Sequence, residues 1–119
     1  MRILAKSKQA KAREFSAKAR ANIKVRDNNT CIFCVRGYNM ENATPTGLYM
    51  KSIMHYIPRS QNGLGIEENG ALGCQYHHEM MDNGNMNRRN EMLGIFREYL
   101  KQQYSDWNEN KLVYSKWNY

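Results

Sequence analysis

Cysteine and histidine occur in this chain only between positions 31 and 78, as Cys31, Cys34, His55, Cys74, His77 and His78. Cys31-x2-Cys34 and Cys74-x2-His77 repeat one spacing. A tight turn across such a pair aims two ligands at one ion, so the two pairs together have the makings of a closed tetrahedral zinc site. His55 and His78 are then left over for chemistry. A histidine near its ordinary pKa of about 6.5 is neutral often enough at physiological pH to take a proton from water, which suits His55 to general-base attack on a phosphodiester. The plainer reading is a strand histidine satisfied by a backbone carbonyl. His78 and Asp82 stand four apart, and on a helix that spacing puts both on one face, where they can hold a divalent ion or simply pair with each other.

The elements that must position these groups belong to a chain of 119 residues, the length of one domain (1–119). Polar, Asn- and Gly-rich connections take up much of it, so the apolar core must be small and a metal staple would compensate. An odd number of cysteines, no secretory segment after Met1 and no apolar run of membrane-spanning length point to a reducing cytoplasm and away from a membrane. Thiolate ligation is therefore expected in place of disulfides.

Charge divides the chain. Residues 1–26 carry nine Lys/Arg against Glu14 alone, a net +8, whereas residues 27–119 carry nine against ten. Such a basic arm, with Lys11, Arg13, Lys18, Arg20 and Lys24 in it, can neutralise phosphates and give sequence-independent affinity for nucleic acid. A solvated basic helix that keeps the protein soluble is the alternative.

Periodicity predicts a helix over Ala17–Arg26 with Ser16 as N-cap, stopped by Asp27-Asn28-Asn29. It predicts strands over Leu48–Ile57 and Asn69–Cys74 with a loop containing Asn62-Gly63 between them, and a helix opening at Gln75. Met92, Phe96, Tyr99 and Leu100 give an amphipathic helix over Arg88–Tyr104, its apolar face expected in the core. The tail aromatics Trp107, Tyr114, Trp117 and Tyr119, interleaved with Lys111 and Lys116, are expected to dock on that core in preference to stacking bases. The chain thus reads as a basic helical arm (1–26), a zinc-stapled core (27–85) and a C-terminal helix with an aromatic tail (86–119).

The run His55-Tyr56-Ile57-Pro58-Arg59-Ser60-Gln61-Asn62-Gly63, then Asn69, then Cys74-Gln75-Tyr76-His77-His78, resembles the HNH family of ββα-metal endonucleases over roughly residues 16 to 82. In that family a strand histidine precedes Ile-Pro and a glycine-rich loop, and an asparagine five residues before a cysteine leads into the helix. The resemblance implies an α+β fold with a ββα-metal core and a metal-dependent DNA endonuclease. His55 would be the base, Asn69 would fix its ring or backbone, and His78 and Asp82 would hold Mg²⁺, Mn²⁺ or another divalent ion. Cys31, Cys34, Cys74 and His77 would hold structural zinc, and Arg59 would join the basic arm on phosphates. It also implies a phage or prophage origin, with DNA and phage packaging or recombination proteins as partners. Two positions depart from the pattern. Met54 stands where many members place an Asp or His metal ligand, and a thioether is a poor ligand for a hard cation. The ion would then rely on more water, or on Glu41 or Glu79, or catalysis would be weak. His77 stands where the fourth zinc ligand is more often cysteine, and the repeated x2 spacing favours His77 on zinc with His78 on the second ion. Met54 also keeps open a zinc-stapled DNA-binding module with little or no nuclease activity. A purely structural interaction domain fits the C-terminal half but leaves His55 without a role.

Overall fold

The basic N-terminal stretch folds as two helices. In the computed structural model, which describes residues 7–115, α1 spans Lys8–Arg13 and α2 spans Ala17–Arg26. Arg2 and Lys6 of the arm, and Lys116, Trp117 and Tyr119 of the tail, lie outside the described residues. Each helix starts on a serine whose Oγ accepts a backbone N–H three residues on, Ser7 from Ala10 and Ser16 from Ala19, both at 3.1 Å. Ala12, Phe15, Ala19 and Ile23 are buried, so this stretch is part of the fold and not an appendage. Asn28 and Asn29 follow with φ of 53° and 52°, left-handed positions that asparagine tolerates, and these end α2 where expected.

A short helix, α3 (Ile32–Val35), carries the first cysteine pair, and α4 (Pro45–Tyr49) begins where Thr44 Oγ accepts from Gly47 N at 3.0 Å. Here the structure corrects the expected strand. Only Lys51–His55 is β1, because the Thr44 cap and the proline of the first turn commit Leu48 and Tyr49 to a helix in spite of their apolar character. β2 is Gly70–Cys74, and Asn69 ends the 3₁₀ turn Glu67–Asn69 that precedes it. The strands pair antiparallel, with Lys51 opposite Cys74 and His55 opposite Gly70. α5 (Gln75–Asn83) leaves β2 directly, capped by the Cys74 side chain, and α6 (Met86–Gln103) starts two residues earlier than expected because Asn85 caps it.

The result is a small α+β molecule: a two-stranded antiparallel sheet with helices on both faces. Side chains alternate across β1. Met54 enters the main core with Phe33, Met81, Met92, Phe96 and Leu100, all fully or almost fully buried, whereas Ile53 packs with Phe15, Ala19 and Ile23. Each fully buried Ile, Leu, Met or Phe side chain contributes about 1.5–3 kcal/mol. Trp107, one of the tail aromatics expected to dock, packs on the main core and donates its Nε1–H to the Glu68 carbonyl at 2.7 Å. Among the described residues no helix is long and apolar enough to cross a membrane.

Candidate functional site

The two x2 pairs converge. Cys31 is the N-cap of α3 and Cys34 lies within it, Cys74 ends β2 and His77 sits in the first turn of α5, and their four ligand atoms all fall within 4.8 Å of one another. Nδ1 of His77 lies 3.7, 3.5 and 3.2 Å from the sulfurs of Cys31, Cys34 and Cys74, and the Cys34 and Cys74 sulfurs are 3.6 Å apart. A tetrahedron with metal–sulfur bonds of about 2.3 Å and a metal–nitrogen bond of about 2.0 Å has edges of roughly 3.5–3.8 Å, so the donor set fits a metal ion such as zinc. The other ring nitrogen of His77 donates to the Tyr38 carbonyl, which fixes the tautomer with Nδ1 free to ligate. Burial pushes the Cys31 thiol up, but the His77 ring together with N–H groups of Cys74, Cys34 and Phe33 outweighs it and holds the thiol down to about 6. Burial and the neighbouring Cys31 charge push Cys34 the other way.

His55, half-buried at the end of β1, stacks on Phe15 at 4.3 Å between ring centroids and lies 2.9 Å from the Arg13 carbonyl through Nε2. A carbonyl only accepts, so Nε2 carries the proton and the neutral ring keeps its lone pair on Nδ1. Burial lowers the pKa of His55. The Arg13 carbonyl opposes this, while the charges of Arg59, Arg20 and His78 add to it. The ring lines a cleft of about 470 Å³ with Glu14, Phe15, Arg20, Ile53 and Arg59. Arg59 meets Glu14 at 3.7 Å, and Arg13 turns its Nη1 to the Arg59 carbonyl at 3.1 Å.

Asn69 is fully buried and ties down the chain just beyond His55. Its Oδ1 accepts from Ile57 N at 2.8 Å, its Nδ2 donates to the carbonyls of Ile57 and Leu64 at 3.1 and 2.8 Å, and its own carbonyl accepts from Tyr56 N. It thus holds the backbone after His55 and makes no hydrogen bond to the ring. Gly63 completes the loop, since a Cβ there would lie 1.7 Å from the Ile57 carbonyl oxygen.

His78 and Asp82 do share a face of α5. Nε2 of His78 lies 3.3 Å from Asp82 Oδ2 and its Nδ1 bonds Ser52 Oγ at 2.9 Å, while Arg89 approaches Asp82 Oδ1 at 3.8 Å. The pair lines a second cleft of about 370 Å³ with Ser52 and Glu79, and Glu41 is not among its lining residues. The two clefts have no lining residue in common, yet the charge of His78 reaches His55. Met54 is fully buried in the main core, its side chain lying where a Cβ on Gly73 would be 2.3 Å from the sulfur.

Lys11, Lys18, Arg20 and Lys24 are exposed on α1 and α2. Arg26, counted with the same basic stretch, is instead taken into the fold. It forks onto buried Asp27 at 2.7 and 3.1 Å and donates to the carbonyls of Glu67 and Gly70 at 2.9 and 2.7 Å, and Asp27 in turn accepts from Leu72 N and Tyr99 Oη. This clamp brackets Asn69, and sequence reasoning missed it. An Arg-Asp pair at a helix end looks like any other charged terminus until its carbonyl partners, more than forty positions away, are in place. No protein-family model, curated protein or solved structure matches the chain.

Proposed function

We propose that the protein is a metal-dependent DNA endonuclease in which His55 is the general base. The observation that carries this reading is the His55 ring itself. It is held by the Arg13 carbonyl, biased toward the neutral form by burial, and set in a cleft rimmed by the cations Arg20 and Arg59. That combination suits a base that must meet a phosphodiester. Nδ1 of His55 takes a proton from water as the water oxygen bonds to phosphorus. The bond to the leaving 3′ oxygen then breaks, and solvent supplies that oxygen with a proton. Arg20 and Arg59 hold the phosphate, and Asn69 keeps the backbone after His55 in place. His78 and Asp82 would hold a divalent ion such as Mg²⁺ or Mn²⁺, whose chemistry is Lewis-acid charge at the scissile phosphate. Zinc is the ion we assign to Cys31, Cys34, Cys74 and His77, as a structural staple.

One observation favours a second reading, a zinc-stapled DNA-binding module without cleavage. Met54, at the position of a family ligand, is wholly inside the core. Nicking of supercoiled plasmid separates the two readings. With Mg²⁺ or Mn²⁺ the wild type should nick, His55→Ala should lose about 10²- to 10⁴-fold in rate, and zinc content and DNA binding should be unchanged. His78→Ala should also fall, with partial recovery in excess Mn²⁺ that His55→Ala does not show. A wild type that binds plasmid but never nicks it would leave the binding module.

A further inference from the structure

We infer that α2 lies in the major groove of B-form DNA, so that the protein contacts base edges through this helix as well as phosphates. The proposal deepens the nucleic-acid reading above, because it says which kind of duplex is bound and by which face. α2 is packed on one side only. Ala19 and Ile23 are buried, Asn22 donates to Glu67 at 3.0 Å, and Arg26 is locked to the Glu67 and Gly70 carbonyls. The other side is open along the whole helix: Ala17, Lys18, Arg20, Ala21, Lys24 and Val25 are exposed, Val25 at 78%. By the helical period Ala17, Ala21 and Lys24 point directly outward, with Arg20 on one shoulder and Lys18 and Val25 on the other. No carboxylate occurs anywhere in α2.

Three cations with no acid among them face a polyanion more readily than a protein groove, which would call for a broader apolar stripe. The surface also runs on into the His55 cleft, because Arg20 lines that cleft and faces outward from α2. The groove follows from size. A helix with its side chains is about 10–12 Å across, which fits the major groove of B-DNA at about 12 Å and not the minor groove at about 6 Å. The major groove of an RNA duplex is deep and narrow, so a duplex of RNA is not the match. Short side chains at positions 17 and 21 let the helix backbone approach the base edges while Lys18, Arg20 and Lys24 reach phosphates on both walls.

The test uses the full zinc-loaded chain and measures binding by fluorescence anisotropy, with no catalytic ion added. One duplex is prepared three ways: unmodified, with its cytosines replaced by glucosylated 5-hydroxymethylcytosine, which fills the major groove but leaves the phosphates, and carrying a minor-groove ligand such as netropsin. Glucosylation should weaken binding about tenfold or more and the minor-groove ligand should have little effect, since each base-edge contact carries that order of discrimination. Ala21→Glu and Val25→Glu, both at exposed positions where folding is unaffected, should weaken binding to the unmodified duplex, whereas Gln102→Glu on α6 should not. Equal affinity for the glucosylated duplex, displacement by the minor-groove ligand, or no duplex binding at all would overturn the proposal. Plasmid that stays intact while the groove pattern holds would count against the nuclease reading alone.

Discussion

At the scale of single residues, the candidate metal ligands are legible in the sequence and the groups that support the site are not. Cysteine and histidine are rare, and two pairs at the same local spacing can be read from the sequence alone, which is why Cys31, Cys34, Cys74 and His77 group together without knowledge of the fold. The group that orients His55 is a backbone carbonyl 42 positions earlier, and every residue has one. Burial keeps the pKa of His55 below its ordinary value, with the charges of Arg59, Arg20 and His78 adding to the effect against the opposing Arg13 carbonyl. A ring whose folded pKa is depressed resists protonation, so the stability it contributes is complete above about 6.5 and is lost as pH falls from there toward the folded pKa. The acid limb of the cleavage rate should accordingly have its midpoint below about 6.5, measured as nicking rate against pH. A midpoint at or above that value, or a limb that survives in His55→Ala, would remove His55 from the role of base.

Among the elements, capping residues marked boundaries better than apolar content did. Ser16 placed the start of α2 correctly, whereas the apolar run from Leu48 suggested a strand that begins only at Lys51, because Thr44 and Pro45 had already started a helix. The helix from Arg88 was recognised by its apolar face, yet its true start at Met86 depends on Asn85. What the pattern could not show is how α2 is fastened to β2. Asp27 is almost wholly buried with Arg26 as its ionic partner, and together they hold the backbone of Glu67, Gly70 and Leu72. Arg26→Ala leaves that carboxylate buried without its cation and should cost about 3–5 kcal/mol in urea unfolding. Arg26→Lys should recover only part of this, since an ammonium cannot make the fork. A loss under 1 kcal/mol for Arg26→Ala, judged against the usual surface range of about ±0.5, would mean the clamp is not structural.

For the whole molecule, the small α+β architecture was legible because its strand, loop, strand, helix order is local, all within residues 51–83. The packing of the basic N-terminal stretch was not, since its charges disguised the inward row Ala12, Phe15, Ala19 and Ile23. The Cys3His cluster joins segments 31–34 and 74–77, the two ends of the stretch that contains α4 and the sheet. With one modest core on either side of a two-stranded sheet, that cross-link should be required for folding. A strong chelator should then abolish the cooperative thermal transition seen by circular dichroism, and added zinc should restore it. A melt unchanged by chelator in protein verified free of metal would show that the core suffices alone.

The packing of Met54 over Gly73 can be put as a matter of information. In the register of the hairpin Met54 faces Ala71, and the space above the neighbouring Gly73 is filled by the Met54 side chain. The methionine and the glycine are therefore not two independent letters. A side chain at 73 is sterically excluded while Met54 is present, and a carboxylate at 54 would place a charge where nothing reaches water. Positions 54 and 73 spell a single decision, and a change in either one alters the meaning of the other.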